Sequence, residues 1–530
     1  MSTAHTWSVA EDHNLVSVPS KNDNHLYAQY SSLTVKFASP FSLYDEFYME
    51  HAQKLEEVRS VLNEVGEGTF EVLLMIDIEA ILQRQYRIVI TTDDFSDNLY
   101  EVALRFRLLR QEGYYVTAGG RFLFLLIILI FLLMYMNEPT DVFNNFKDKE
   151  GKFEEKLGKD VRRLMGLYKA SQLSVQGEDI LEEARNFSNR HLNAWNTHND
   201  QHQARIVRNT LGHSHHKSLA RFMAKRFLND FQGTDGWINS FRQLAKMDFN
   251  MYLYNKNHFY FRWWKDLGLA KELKFARNQP LKWHMWPLAV LPDPSLSEQR
   301  VKLTKPISLV HIIDDIFYVH GTLDELTVFT EAVNRWEYEA VGQLPDYMKV
   351  CFNALNGITN EISSKVYKDY GWKPIDSLPK SWAILCNAFL TDDHSKNGII
   401  SSGVHVVLVH MFFLLGHGVT KRNVGIVDDF PGIISSAATI LRLWDDLGSA
   451  KEHPGTPIKN APCHVMHTIS ETWKLLNQQC LVPNPFSTWF TKAYLNVARM
   501  VPLMYSYDDN QCLPSLEEHM KLLVEASVSS

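Results

Sequence analysis

The stretch PISLVHIIDDIFYVHGTLDELTVF, Pro306 to Phe329, sets two adjacent carboxylates, Asp314 and Asp315, into an apolar run of Ile307, Leu309, Val310, Ile312 and Ile313. Burying a carboxylate without a partner costs on the order of several kcal/mol, so such a pair on an apolar helix calls for a cation or a cavity. Pro306 suits the first turn of a helix, where its missing N–H is not needed. Gly321 closes the segment, and Thr322, three before Glu325, reads as a capping box that starts the next helix. Asp314 and Tyr318 lie four apart, hence on one helical face.

A chain of 530 residues is too long for one ordinary core, and two large domains are expected. The apolar and charged fractions, 45% and 22%, are those of a soluble globular protein. A net charge of −7 gives no reason to expect nucleic-acid binding. The cysteines, Cys351, Cys386, Cys463, Cys480 and Cys512, form no CxxC, which argues for a reducing compartment and against a disulfide scaffold or zinc ribbon. The N-terminus lacks a signal-peptide core and carries Glu11, Asp12 and Asp23 with no Arg before residue 24. The expected location is the cytosol, with the plastid as alternative.

Working outward, residues 1–45 are polar and irregular. Residues 46–230 carry helical periodicity, strongest in Leu73–Asp77 and Asn98–Val116. FQGTDGW, Phe231 to Trp237, marks a boundary, and 231–530 forms a C-terminal domain. DDFSD, Asp93 to Asp97, precedes a helix and reads as N-capping or solvated loop. His198 and His202 are four apart, but no Glu follows His198 and no third ligand has a defined spacing, so a polar helix and loop is the reading. Phe122 to Met136 is an uninterrupted apolar run whose helix would span ~22 Å, short of the roughly 30 Å hydrocarbon core. It reads as an insertion foreign to the fold, about 119–139, with a buried core helix or a membrane anchor as alternatives.

IIDDIF followed by GTLDELTVFTEAVNRW resembles the plant class I terpene synthases, in which this position holds an aspartate-rich DDxxD motif. Here Tyr318 replaces the third aspartate, and a neutral phenol is a poor ligand for a hard cation. The resemblance implies an all-α chain of two helical domains: an α-barrel-like N-terminal one and a C-terminal one with the class I terpenoid synthase fold. It implies a second metal motif in LRLWDDLGSAKEHPG, where Asp445 and Ser449 match and Glu452 is one residue off, with His453 at the family's Glu position. Against the family, a longer acidic loop is missing after Lys451, and shortenings fall after Asp77 and near TDDHSK. Arg442 and Arg277 match the family's diphosphate-binding arginines, while Gln279 stands for the second Arg of RxR. Trp286, nine after Arg277, and Asp509 match family positions at the pocket, while Trp283, Phe317 and Tyr507 are aromatic candidates for its wall and Tyr318 is counted with them.

The implied cofactor is Mg²⁺, with Mn²⁺ possible, and the implied partner is geranyl or farnesyl diphosphate. No DxDD motif is present, which argues against protonation-initiated chemistry. ARNQPLKWHMWPLAV and LPDPSLSEQRVKLTKPISL resemble the subfamily that makes acyclic alcohols, the linalool and nerolidol synthases, and Arg162-Arg163 has no Trp at the tandem-arginine spacing. A monomer without membrane attachment is expected. The alternatives are a chain that keeps the fold without the reaction, a chain-elongating prenyltransferase, which the Asp445/Ser449 pattern argues against, and a protein anchored by Phe122–Met136. Deleting Gly119–Pro139 is expected to raise soluble expression; a deletion that abolished folding would show that the segment is part of the fold.

Overall fold

The structure is a computed structural model. It describes residues 49–50, 52–57, 98–114, 142–195, 200–220, 257–337, 341–374, 376–391, 399–428, 432–452, 461–481 and 486–505, with a few isolated positions besides. The expectations on residues 1–45, Leu73–Asp77, DDFSD, Phe122–Met136, His198, FQGTDGW, TDDHSK, His453, Tyr507 and Asp509 lie outside these residues. The fold is all-α, as expected: among the described residues there is no strand, only an isolated bridge from Lys147 to Phe153.

Helices α1 (Leu99–Gln111), α2 (Val161–Ser171), α3 (Asp179–Trp195) and α4 (Gln201–Gly212) enclose a first core that includes Phe106, Leu164, Leu167 and Leu181. Side chains at the helix starts satisfy the first free N–H groups. Asn98 accepts from Tyr100 N–H at 3.1 Å, so the cap of α1 is Asn98 and not the acidic run before it. Asp160 caps α2 and Asp200 caps α4. Arg110 is buried and answered: its Nη1 donates to Glu178 Oε2 at 2.6 Å and its Nε to Val116 O at 2.8 Å.

A second core takes in Leu219 and the helices from α5 (Asn257–Leu267) onward: α6 (Pro280–Val290), α7 (Ser297–Asp315), α8 (Leu323–Arg335), α9 (Asp346–Tyr370), α10 (Ser377–Leu390), α11 (Val404–Leu415), α12 (Lys421–Asp428), α13 (Gly432–Glu452), α14 (Ala461–Leu481) and α15 (Thr488–Tyr505). α7 packs on α5, α6, α9 and α11 and is the axis of this unit. Its start corrects the sequence expectation. Pro306 is inside the helix and not in its first turn, because α7 begins at Ser297. An interior proline costs roughly 3 kcal/mol; packing on four sides outweighs it. The hydroxyls of Thr304 and Ser308 donate to the carbonyls of Arg300 and Lys305, each at 2.6–2.7 Å. Arg300, 1% exposed, donates to the carbonyls of Leu291 and Asp293 and so fixes the α6–α7 connection. Gly403 enters α11 at φ +69°, and a Cβ there would run into the Val310 side chain, so α11 approaches α7 only through a glycine.

The two cores meet along α14 and α15. Asn477 Nδ2 donates to Ser174 O at 2.9 Å and Gln172 O at 3.2 Å, His216 Nε2 lies 2.8 Å from Asn477 Oδ1, and Arg499 Nε donates to His216 O at 2.7 Å. Lys474–Glu182 and Lys492–Glu112 add ion pairs across the same seam.

Four buried histidines are held neutral. Burial, reinforced by Arg300, pushes His284 down to about 3; burial pushes His405 and His410 down to about 4, and His216 well below its ordinary value, with Arg499 adding to the effect. In the unfolded chain each titrates near ~6.5, so the unfolded state binds more protons below that pH. The stability they contribute is full above the unfolded value and is lost as pH falls toward the depressed one, by up to ~1.4 kcal/mol per pH unit per residue. Urea denaturation is expected to show a clearly lower midpoint at pH 5.5 than at pH 7.5; equal midpoints would contradict neutral burial.

Candidate active site

The site begins at the C-terminal end of α7. Asp315 is 4% exposed, and Asp314 keeps about a third of its side-chain surface. The helix then widens into a π turn, Ile316–His320, closed by Gly321 N–H donating to Ile316 O at 2.8 Å. Thr322 and Glu325 form the expected capping box and restart the chain as α8. The π turn breaks the four-residue stacking that the sequence suggested for Asp314 and position 318. Tyr318 faces outward, 67% exposed, with its ring edge-to-face against Phe389 at 5.4 Å. It therefore stands at an outer rim and not beside the aspartates. Phe317 points inward and packs against Phe389 and Phe329. Trp286 is buried on α6, and Trp283, 1% exposed, packs edge-on to Trp264 and stacks with His311 inside the core.

Arg277 reaches both aspartates from the loop before α6. Its backbone N–H donates to Asp315 Oδ2 at 2.7 Å, its Nε lies 2.7 Å from Asp315 Oδ1, and its Nη2 pairs with Asp314 Oδ2 and donates to His311 O at 3.3 Å. Burial acts to lower its pKa, but Asp314 and Asp315 outweigh burial and raise it. The sequence pointed to a basic residue here. It did not show that one guanidinium would hold both carboxylates, nor that the His311 carbonyl would take part. Phe389, the ring that Phe317 and Tyr318 share, was also missed; only the tertiary fold brings α10 there.

The second motif lies on α13. Arg442 Nη2 is 2.8 Å from Asp446 Oδ1, and its Nη1 is 3.7 Å from Asp445 Oδ2. Ser449 and Glu452 are on the last turns of the same helix; their side chains lie outside the described set. The two motifs lie within electrostatic reach of each other. The Asp314 carboxyl is raised by burial first, and then by Asp315 and Asp445, against the pull of Arg277. The Asp445 carboxyl is likewise raised, by burial and Asp446, with Arg442 and Arg277 opposing. Among the described residues no group of three or more His, Cys, Asp or Glu stands ready to hold an ion. The donors that do converge are carboxylate oxygens of like charge in a partly desolvated place, which is the chemistry a hard divalent cation relieves. These residues fit such a cation.

Two family models match the chain in order: the terpene synthase N-terminal domain over residues 135–211 and the metal binding domain of the terpene synthase family over residues 265–457. A probable terpene synthase 13 of Ricinus communis is 49% identical over 94% of this chain and 92% of its own length. That alignment runs over 554 positions, more than this chain possesses, so the relative has residues that this chain lacks. An (E)-nerolidol synthase of Cannabis sativa is 42% identical over 90% of each chain, and an S-(+)-linalool synthase, chloroplastic, of Arabidopsis thaliana is 41% identical over 89% of this chain and 88% of its own. Isoprene synthase from grey poplar leaves (Populus x canescens), solved in complex with three Mg²⁺ ions and dimethylallyl-S-thiolodiphosphate, superposes with a TM-score of 0.77 at 29% identity, over 92% of this chain and 99% of that one. Identity of this order along nearly the whole length, on the same all-α fold, makes the chain a member of the terpene synthase family, a family of lyases.

Proposed function

We propose that this chain ionises geranyl or farnesyl diphosphate with Mg²⁺ and releases an acyclic terpene alcohol of the linalool or nerolidol type. The observation that carries the reading is the pairing of Arg277 with Asp314, with Asp445 of a third segment within electrostatic reach of both. The relatives named as nerolidol and linalool synthases support the product class, and the poplar enzyme solved with Mg²⁺ supports the cation.

In this reading Asp314, Asp315 and Asp445 hold the divalent cations, with Ser449 as a further ligand on α13 and Glu452 as the weaker candidate. Bound cations supply charge neutralisation of the departing diphosphate. Arg277 and Arg442 take its oxygens; a guanidinium presents paired N–H donors that match phosphate oxygens. Arg277 would have to loosen its hold on the aspartates to do so. Trp286 and Phe317 form apolar wall and keep water away from an allylic cation until it is captured. Tyr507 and Asp509 keep their proposed pocket roles. The partner is a prenyl diphosphate, the protein acts as a monomer, and the boundaries 46–230 and 231–530 describe its two units. The chloroplastic linalool synthase relative supports the plastid over the cytosol.

A second reading, a chain that keeps the fold with an impaired reaction, is favoured by one observation. The third position of the aspartate motif is an exposed tyrosine that offers no carboxylate to the cluster. Incubation with Mg²⁺ and each diphosphate, followed by gas chromatography–mass spectrometry, separates the two. Linalool or nerolidol from the unaltered chain is the expected outcome, with Tyr318→Asp at least as active. Product from Tyr318→Asp alone would establish the impaired reading.

Cation binding is tested without turnover. Asp314→Asn and Asp445→Asn are each expected to weaken Mn²⁺ binding by ~10-fold or more, read from the electron paramagnetic resonance signal of free Mn²⁺. Both carboxyls are raised, so protons compete with the cation at a higher pH than for ordinary aspartates, and affinity is expected to fall between pH 7.5 and 5.5. Mn²⁺ binding that ignores both substitutions would remove Asp314 and Asp445 from the site.

A further inference from the structure

Beside the aspartate cluster, rings from three separate segments close on one another. Phe275, two residues before Arg277, stacks on His320, the last residue of the π turn, with centroids 4.0 Å apart and planes 12° apart. Tyr347, in the first turn of α9, meets both edge-on, 5.8 Å from Phe275 and 5.1 Å from His320. The Tyr347 hydroxyl donates to Glu325 Oε2 at 3.2 Å, and the same oxygen accepts from Thr322 N–H at 3.0 Å and from Thr322 Oγ1 at 2.8 Å. Burial and Glu325 push the Tyr347 phenol up to about 12, which keeps it a donor. The rings are thereby tied to the cap of α8.

Phe275 and Tyr347 are partly buried against the second core, whereas His320 is exposed. An exposed imidazole contributes little to a core, yet the backbone that aims it is tightly set. Gly321 follows directly, and a Cβ there would lie 2.9 Å from Ile316 O, so the turn leaves no room for a side chain next to His320. On the far side of Arg277, Trp264 Nε1 donates to Asn278 Oδ1 at 3.0 Å and fixes the same segment to α5.

Arg277 is thus held in two ways. Its backbone N–H and guanidinium hold Asp314 and Asp315, and two residues earlier the Phe275 ring holds His320 and Tyr347. A diphosphate acts on these holds differently. Its oxygens compete with the carboxylates for the guanidinium and leave the ring contacts untouched, because stacking does not use that group. An arginine that changes partners meets its new one correctly only if its backbone stays in place; a misplacement of ~1 Å can cost on the order of 100-fold.

We propose that His320, with Phe275 and Tyr347, is a positioning residue for Arg277: the three rings hold the Arg277 backbone beside the aspartate cluster while its guanidinium passes from the carboxylates to a diphosphate. The inference rests on the reading of Arg277 as a diphosphate ligand and adds what keeps that ligand in register.

The test titrates the full chain in Mg²⁺ with inorganic diphosphate by calorimetry, comparing Arg277→Gln, His320→Ala, His320→Phe and the double variant Arg277→Gln/His320→Ala. Mn²⁺ affinity without diphosphate and the thermal midpoint are read alongside. Arg277→Gln is expected to weaken diphosphate binding by ~10-fold or more, and His320→Ala by ~3-fold or more. His320→Phe restores the ring and is expected to bind within ~2-fold of the unaltered chain. Mn²⁺ affinity in His320→Ala is expected to be no weaker than in the unaltered chain, since the aspartates are intact. The double variant is expected to bind no more weakly than Arg277→Gln alone, because a residue that acts through Arg277 has nothing to position once the guanidinium is gone. A histidine with only a stabilising role would instead lower the midpoint, weaken Mn²⁺ as well and add its cost to that of Arg277→Gln. Absent diphosphate binding by the unaltered chain, or undiminished binding by Arg277→Gln, would overturn the assignment of Arg277 and this inference with it. A loss in Arg277→Gln with none in His320→Ala, with an equal loss in His320→Phe, or with a full further loss in the double variant would overturn the inference alone and leave the assignment standing.

Discussion

The structure turns on two adjacent aspartates at the end of an apolar helix, Asp315 buried and Asp314 half-buried. Asp314 and Asp315 could not stay desolvated alone, and Arg277 meets them with its backbone N–H and its guanidinium. Around that contact the second unit is arranged. α7 is packed on four sides where it delivers the pair; it accepts Pro306 in its interior, is pinned near its start by Arg300, and lets α11 come close only through Gly403. α13 then brings Asp445 within electrostatic reach of Asp314.

The cluster is poised and not relaxed. Burial and like-charge neighbours raise the carboxyls of Asp314 and Asp445, while a single arginine answers both aspartates of the first motif. A cation and a diphosphate resolve this together, the first by compensating the carboxylates and the second by giving Arg277 a new partner.

Tyr318 shows how a local change in helix type redirects a site. As a continuous α-helix the chain would have stacked this position on Asp314. The π turn carries it outward, and its ring settles on Phe389. Whether an aspartate at this position would swing inward depends on whether that turn tightens.

What the sequence by itself determined is local. The helical character, the paired aspartates, and the Thr322–Glu325 capping box depend on residues within a few positions of one another, and the structure holds them as read. Motif resemblance extended this to the family, since spacing along a helix is also local. Contacts between distant segments were decided by the tertiary structure: Arg277 with both aspartates, and Phe389 against Phe317 and Tyr318. The start of α7 belongs here too, because a proline in a helix interior is unfavourable on local grounds and is tolerated only when packing on several sides compensates. Helix periodicity carries information over one or two turns; which helices meet, and which charges are thereby desolvated together, is a property of the packed whole.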